Sequence, residues 1–237
     1  MMIAEPRIVR SNRLELTVSP TRWEFAEERK QEIADRFAQM QRQKPALWNG
    51  RVLMLHRHEH TGDIFRGAFF ETDYASFRTW HQLGCPGAPI YDCFGAAALL
   101  SADDAFILGI MGERTANAGR IYFPCGTPDP SDIVDGRLNF DFSVGRELKE
   151  ETGLDISELR AEPGWTTVIA SPFIAQIKVL RVAESAARLQ TRIGEFLKRQ
   201  ASPELVGTAV VKNTADLSPA MPEFVTAFLK YRWSDRP

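Results

Sequence analysis

The amino-acid sequence predicts an α+β protein with a mixed β-sheet. Segments with the period of a strand and segments with the period of a helix both occur along the chain, but they do not alternate regularly. A doubly wound parallel sheet would need that alternation, so α+β is the better interpretation. The 237 residues, of which 44% are hydrophobic and 25% charged, suffice for one large domain or two small ones.

The loop Cys85–Pro89, which contains two prolines and a glycine, is the best candidate for a boundary between two parts of the chain. We therefore expect an N-terminal region at residues 1–90 and a main domain at residues 91–237. In the first part, apolar residues at near-helical spacing indicate helices, and apolar runs around a Gly-Asp turn indicate a hairpin. In chain order the elements are an extended segment at 7–18, a charged helix at 21–43 ended by Pro45, a hairpin at 51–70 and a short helix at 73–83.

The main domain is predicted to begin with a second hairpin, formed by two apolar runs on either side of Ala102–Asp104. A segment rich in Gly, Pro, Asn and Asp follows at residues 112–139, and a loop of that length in a compact domain is usually functional. A helix is predicted at 140–152, with Gly153 where a C-terminal cap glycine belongs. The remaining predicted elements are strands at 165–170, 173–182 and 206–212 and helices at 185–199 and 221–231.

The charge and cysteine content argue against several classes of protein. A net charge of −2 gives no electrostatic reason to expect a nucleic acid or a membrane surface as partner. The sequence has no run of 18 apolar residues and no apolar leader, so neither a membrane span nor a secretory signal is expected. Three irregularly spaced cysteines fit neither a disulfide framework nor a four-cysteine zinc site, which favours a reduced, cytoplasmic setting.

His56, His58 and His60 alternate along a predicted strand and would then share one face, where they could bind a transition metal. A solvent-facing strand end beside a turn is the favoured interpretation, because no cysteine or second histidine cluster lies nearby in the sequence.

The segment Arg146–Leu154, with the sequence RELKEETGL, carries the chemical signal. On a helix, Glu147, Glu150 and Glu151 fall at positions i, i+3 and i+4, so their carboxylates share one face. Three such carboxylates repel one another unless a divalent cation neutralises them, and oxygen ligands favour Mg²⁺ or Mn²⁺. Arg146 lies four residues before Glu150 and can pair with it, which would orient that ligand.

A solvated helix face would also display three glutamates, and the pattern alone does not separate the two interpretations. The surrounding sequence favours a phosphate site. A loop rich in Gly, Pro and Asp runs into the helix, and Arg114 and Arg120, on the approach to it, are candidates to bind substrate phosphates.

On these residues the chain resembles the Nudix hydrolase family, whose signature is GX5EX7REUXEEXGU with U an aliphatic residue. Arg146–Leu154 matches the second half of the signature at every fixed position, and Phe123–Gly126 resembles the FPGG segment that opens it. The chain departs from the family in two places. Gly126 and Arg146 are 20 positions apart, six more than in the family, and Leu138 occupies the position of the first glutamate.

The resemblance implies a Nudix-type α/β/α sandwich with an added N-terminal region, which can support a homodimer. It also implies Mg²⁺-dependent hydrolysis of a small-molecule substrate, a nucleoside diphosphate linked to another moiety. The metal would be held by Glu147, Glu150 and Glu151, with the main-chain carbonyl of Cys125 as a further ligand.

The family resemblance further implies an acidic group from a late loop. Glu204, just before a predicted strand, is the candidate for this further metal ligand or base, and Glu184 and Asp216 are the alternatives. A narrower resemblance, carried by Thr72–Phe77 and Gly126–Pro130, is to the UDP-glucose-hydrolysing branch of the family and implies a nucleotide sugar.

Two rival functions stay open. One is a Nudix-fold nucleotide-binding or regulatory module that has lost catalysis, which the missing first glutamate favours. The intact set of helix glutamates argues against it, because a module without metal gains nothing from three carboxylates that repel one another. The other is a hydrolase of a non-nucleotide diphosphate such as a polyphosphate.

Overall fold

The computed structural model describes residues 5–45 and 47–234. Within them the chain forms fourteen β-strands and six α-helices. None of the helices in these residues is long and apolar enough to cross a membrane. The strands are β1 (Arg7–Ser11), β2 (Arg13–Val18), β3 (Arg51–Thr61), β4 (Ile64–Asp73), β5 (Asp92–Leu100), β6 (Phe106–Met111), β7 (Ile121–Tyr122), β8 (Cys125–Gly126), β9 (Ile133–Val134), β10 (Arg137–Leu138), β11 (Arg160–Ala161), β12 (Trp165–Ala170), β13 (Phe173–Arg181) and β14 (Leu205–Val211). The helices are α1 (Glu24–Glu28), α2 (Lys30–Gln43), α3 (Tyr74–Gln82), α4 (Phe140–Thr152), α5 (Ala186–Arg199) and α6 (Glu223–Ser234).

A nine-stranded mixed sheet forms the centre of the molecule, with the strand order β1-β12-β13-β5-β6-β14. The short strands β7, β8 and β11 extend it at β6, β5 and β13. Every pair of strands in it is antiparallel except β5 and β13, which run parallel. A strand buried on both faces has a continuous apolar sequence rather than an alternating one, and β5, which is buried along its whole length, contains the run AAALL.

Helices cover both faces of this sheet. On one face Val144 of α4 lies against Gly95 of β5, and α5 packs beside α4 and over β6 and β14. On the other face Phe224 of α6 contacts the ring of Phe94 edge-on, with the centroids 5.2 Å apart. Phe94 and Gly95 contact different helices because successive residues of a strand point to opposite faces of the sheet. The predicted α+β class, an α/β/α sandwich around a mixed sheet, is confirmed.

The N-terminal region contributes one strand to the large sheet and also forms a small sheet of its own. β1 is an edge strand of the large sheet, whereas β2, β4 and β3 form the three-stranded small sheet. One face of the small sheet carries Met54 and Phe70 into a cluster with α1, α2 and α3. Its other face carries Leu53 and Phe69 into the main core. The region is therefore packed on the sandwich, while a domain boundary at residue 90 stays a prediction.

Two predicted elements differ in the structure. The helix expected at 21–43 starts at Glu24 and breaks at Arg29, whose φ of −111° and ψ of 23° are not helical, so two helices form. The segment 112–139, expected to lack secondary structure, contains β7 to β10 and a 3₁₀ turn at Pro130–Asp132. Each of these strands has two residues, too few to give a periodic signal in the sequence. The other predicted elements are present, with ends that differ by up to three residues.

His56, His58 and His60 do not share a face, contrary to the expectation from their alternation. A β-bulge inserts His56 as an extra residue in β3. As a result His56 lies against Phe70, in the cluster with the helices, whereas His58 stacks on Phe65 on the opposite face of the small sheet. The bulge therefore rules out a metal site made of the three side chains together.

The lengthened segment between Gly126 and Arg146 packs on the N-terminal region. Its hairpin, β9 and β10, contacts β2. The N–H of Leu53 in β3 donates a hydrogen bond of 2.7 Å to the carbonyl of Pro128. The loop that leads into α4 is thus held by the small sheet, and this contact positions the site described next.

Candidate active site

Helix α4 carries the three glutamates, and local sequence fixes both of its ends. The side chain of Asn139 caps the N-terminus, and Gly153 closes the C-terminus in the left-handed conformation, with a φ of 72°. Leu148, in the middle of the helix, is fully buried in the core. With the helix anchored in this way, residues three and four positions apart lie together on one face, so the glutamates are presented as a group.

Glu147 lies over β8, in a space that is open only because residue 126 is a glycine. A Cβ built on Gly126 would come within 2.5 Å of the carboxyl carbon of Glu147. The Oε1 atom of Glu147 also pairs with Nη1 of Arg146 over 2.9 Å. Burial raises the pKa of Glu147 to about 7, although the charge of Arg146 lowers it. This carboxyl group therefore needs positive charge nearby to stay ionised at neutral pH.

Glu151 is the most deeply buried carboxyl group of α4, with 5% of the residue exposed. Its Oε2 atom has no hydrogen-bond partner among the described residues. Burial, together with the charges of Glu147 and Glu204, raises the pKa of Glu151 well above its ordinary value, and a backbone hydrogen bond from Cys125 opposes this only in part. An unpaired carboxylate oxygen at such a place is unfavourable unless a cation or a proton satisfies it.

Glu150 and Glu204 line one depression in the surface, with a volume of about 640 Å³. Glu204 precedes β14, and its carbonyl accepts a hydrogen bond of 2.7 Å from the N–H of Gly112. Glu204 therefore lies on the same side of the domain as Glu150, and its charge raises the pKa of both Glu147 and Glu151. Its binding of a metal stays a prediction. The other residues of the depression are Lys149, Phe196, Gln200, Ala201 and Ser202.

The two alternatives to Glu204 have structural partners elsewhere. Glu184 pairs with Arg192 of α5 over 3.0 Å. The carboxylate of Asp216 accepts a hydrogen bond of 2.7 Å from the N–H of Lys212 and helps to cap a 3₁₀ turn. Of the three late acidic residues, Glu204 is the one that lines the same depression as Glu150 of α4.

Arg146 contacts Glu150 over 3.4 Å, as the pattern predicts, but its main partner is Asp132, which sequence reasoning missed. Nε of Arg146 donates to Oδ1 of Asp132 over 3.1 Å and Nη2 donates to Oδ2 over 3.0 Å, a two-point pairing of planar groups. Burial lowers the pKa of Arg146, but Asp132 and Glu147 raise it more, so the net pKa lies above the ordinary value. The spacing of Asp129 and Asp132 is that of a capped turn, which is present. A different spacing could have identified Asp132, because the glutamate position of GX5E, counted forward from Gly126, falls on residue 132.

Arg114 and Arg120 lie exposed on the loop between β6 and β7. The ammonium group of Lys44, at the end of α2, donates hydrogen bonds of 3.0 Å to the carbonyls of Arg114 and Thr115. The same loop begins beside Glu204, through its bond to Gly112. The loop that carries the two arginines therefore begins beside a residue of the depression, and their contact with substrate phosphates stays a prediction.

Cys125 belongs to β8, directly before Gly126. Burial and the charges of Glu151 and Glu147 raise the pKa of its thiol well above the ordinary value, so the thiol stays protonated at neutral pH. A protonated thiol is a poor metal ligand. Its main-chain carbonyl stays the predicted ligand.

The carboxyl groups have the chemistry that a divalent cation needs, although they are not gathered around a single point. In the described part of the chain, no three His, Cys, Asp or Glu side chains form a coordination arrangement. Glu147 is turned towards Arg146, while a buried oxygen of Glu151 has no partner within residues 5–45 and 47–234. Hard oxygen donors with uncompensated charge are the ligands that Mg²⁺ and Mn²⁺ favour. The residues present therefore fit such a cation.

No protein-family model matches the sequence, and no curated protein matches it. Solved structures do match. A Nudix hydrolase from M. smegmatis, RenU, has a TM-score of 0.40 and 12% identity, covering 63% of this chain and 92% of its own. The MutT protein from Methanosarcina mazei Go1 has a TM-score of 0.41 and 20% identity, covering 62% of this chain and 96% of its own. A bifunctional NMN adenylyltransferase/ADP-ribose pyrophosphatase from Francisella tularensis has a TM-score of 0.42 and 10% identity, covering 67% of this chain and 44% of its own.

Proposed function

We propose that this protein is a Nudix-type hydrolase that depends on Mg²⁺ and cleaves the diphosphate linkage of a nucleoside diphosphate derivative. A nucleotide sugar such as UDP-glucose is the first candidate substrate. The observation that carries the proposal is a pair of carboxyl groups on the helix with the sequence RELKEETGL: the partly buried Glu147 and the buried Glu151. Burying two like charges side by side destabilises a fold unless a cation compensates them, so a metal-dependent function explains the arrangement.

In the proposed reaction, water attacks one phosphorus of the diphosphate, and the bridging P–O bond breaks to give two phosphate products. When bound, Mg²⁺ neutralises phosphate oxygens and lowers the pKa of a coordinated water. Glu147, Glu150 and Glu151 would hold the ion. Glu204, exposed at the edge of the depression, is the candidate acceptor of the proton that the attacking water loses.

Groups around the depression would bind the rest of the substrate. Arg114 and Arg120, on the loop next to Glu204, would bind the phosphate oxygens as cations. The open depression beside Glu150 is the proposed place for the nucleoside or the sugar. Its lining includes Phe196, whose ring offers a face on which a base or sugar can pack.

The rival function is a nucleotide-binding module that has lost catalysis. It was suggested by Leu138, which stands where the family has its first glutamate and is buried with 5% exposure. Arg146, however, keeps a carboxylate partner in Asp132. A module without metal would also gain nothing from the unpaired oxygen of Glu151. Both features favour the enzyme.

A coupled phosphate-release assay tests the proposal. The purified chain is incubated with Mg²⁺ and a panel of nucleoside diphosphate sugars, other nucleoside diphosphate derivatives and inorganic polyphosphate, and products formed in ¹⁸O-water are identified by mass spectrometry. The labelled product identifies the phosphorus that is attacked. A matched control is Glu195→Gln, at an exposed glutamate of α5, which should retain activity. Binding of a nucleotide without turnover of any member of the panel would favour the rival.

A further inference from the structure

We infer that Asp132 is the positioning residue of the proposed metal site: it fixes Arg146 and, through Arg146, the carboxylates of Glu147 and Glu150. This inference rests on the proposed function. Leu138 stands where the family signature has its first glutamate and cannot pair with a guanidinium. Counted forward from Gly126 rather than back from Arg146, the same position falls on Asp132, whose carboxylate can do so.

The carboxylate of Asp132 is fully buried and accepts four hydrogen bonds. Two come from Arg146, as described above. Its Oδ2 atom also accepts from the hydroxyl of Ser143 and from the N–H of Asp129, each over 3.1 Å. A buried carboxylate with this many donors has one defined orientation, so the partner that it binds by two points is oriented as well.

The backbone around Asp132 is held from two sides. Its own carbonyl accepts a hydrogen bond of 2.9 Å from the N–H of Asn139, the cap residue of α4. On the other side, the carbonyl of Pro128 accepts a hydrogen bond from Leu53 of the small sheet. The turn therefore connects the N-terminal region to the first turn of the helix that bears the glutamates.

Asp132 decides which donors of Arg146 are left for the glutamates. It takes Nε and Nη2, and only Nη1 contacts Oε1 of Glu147 and Oε2 of Glu150. A guanidinium without this anchor could turn all its donors to the glutamates and compete with a bound cation. Asp132 thus holds Arg146 at the side of the carboxylates, where it orients them and leaves their other oxygens free.

Binding of Mn²⁺, followed by electron paramagnetic resonance of the free ion, tests the inference without requiring turnover. Asp132→Asn should weaken Mn²⁺ binding by roughly 10-fold or more, the usual effect of losing a residue that orients a ligand. The matched control is Asp129→Asn in the same turn, because Asp129 lies 3.9 Å from Nη2 of Arg146 and mainly caps the turn. It should leave Mn²⁺ binding almost unchanged.

Two further variants separate positioning from mere support of the fold. If Asp132 acts through Arg146, Asp132→Asn should have little additional effect on Mn²⁺ binding in an Arg146→Gln background. Ser143→Ala removes one support of Asp132 but leaves its pairing with Arg146, and should bind Mn²⁺ like the wild type. The inference would be overturned if Asp132→Asn and Arg146→Gln had additive effects on Mn²⁺ binding. It would also be overturned if Ser143→Ala lost as much Mn²⁺ affinity as Asp132→Asn. If Arg146→Gln unfolds at the assay temperature, Arg146→Lys, which keeps the charge and loses the two-point pairing, replaces it.

The outcomes also separate this inference from the proposed function. Suppose that the wild type binds Mn²⁺ but turns over no substrate, and that Asp132→Asn binds Mn²⁺ more weakly. This result contradicts the proposed activity and supports the positioning role. Turnover by the wild type, together with unchanged Mn²⁺ binding in Asp132→Asn, supports the proposed activity and contradicts the positioning role. Wild type that binds no Mn²⁺ overturns both.

Discussion

Glu147 occupies the space in front of Gly126 where any other residue would place its Cβ atom. The carboxyl carbon of Glu147 lies 2.5 Å from that position. The two residues meet because Gly126 belongs to β8, which pairs with β5, and α4 packs on β5. The glycine of the loop and the glutamate of the helix therefore form one structural unit.

Gly126→Ala should displace the carboxylate of Glu147 and lower metal affinity. The three atoms nearest to the new Cβ belong to the far end of the flexible Glu147 side chain, so the fold should persist. We expect the Mg²⁺ concentration for half-maximal activity to rise by about 10-fold or more. Magnesium titrations and thermal melts followed by circular dichroism measure this. Gly194→Ala, where a Cβ meets nothing within 4 Å, is the control and should keep normal activity.

Glu151→Gln and Glu150→Gln should each lower turnover by about two orders of magnitude or more, because each removes a charged metal ligand. Loss of a residue that only orients a ligand already lowers metal affinity or activity by about 10–100-fold. The two variants should differ in stability. Glu151 is buried with a raised pKa, so its neutral isostere should leave the Tm unchanged or raise it, whereas Glu150 is exposed and should have little effect. An unchanged kcat at saturating Mg²⁺ in either variant would contradict the site.

Arg146→Ala should lower both stability and metal affinity. It leaves the fully buried carboxylate of Asp132 without its cation, and breaking a buried pair in this way costs about 3–5 kcal/mol. Urea denaturation measures the free energy of unfolding, and Mn²⁺ binding measures the site. A variant as stable as the wild type, with equal metal affinity, would make Arg146 an ordinary surface charge.

Glu204→Gln should lower kcat more than it changes KM, because a proton acceptor acts in the transition state rather than in binding. The expected loss is about 10²–10⁴-fold, the usual contribution of a general base. Since Glu204 is exposed, the Tm should not change. Glu184→Gln, at a residue engaged with Arg192, is the matched control. Equal kcat values for Glu204→Gln and wild type would exclude the role.

Protonation of His58 should contribute to acid destabilisation. Burial, and then the charge of Arg7, lower its pKa from 6.5 in the folded chain. The unfolded chain binds this proton more readily, so the contribution to stability is present above pH 6.5 and is lost as the pH falls from there through the folded pKa. His58→Phe keeps a ring against Phe65 and removes the titration. Its Tm should fall less than that of the wild type between pH ~7.5 and ~5.5; parallel curves would refute this.

Several features of the site could be predicted because they depend on local sequence. The helix from Phe140 to Thr152 and its closing glycine were predicted at their observed ends, since caps and apolar spacing act within a few residues. The common face of the glutamates follows from helical geometry alone. The histidines show the limit of such reasoning. The three histidines do not share the expected face because β3 contains one bulge. That bulge depends on how β3 pairs with β4.

By itself, the sequence determined the α+β class, the helix with its three glutamates and the departure from the family signature at Leu138. Only the tertiary structure decided that Asp132 pairs with Arg146, that Glu147 lies over Gly126 and that an oxygen of the buried Glu151 has no partner among the described residues. The physical reason is that these contacts join residues far apart in sequence, through a turn held by Leu53 of the N-terminal sheet. Periodicity records which face of an element is apolar, but not which distant side chain that face meets.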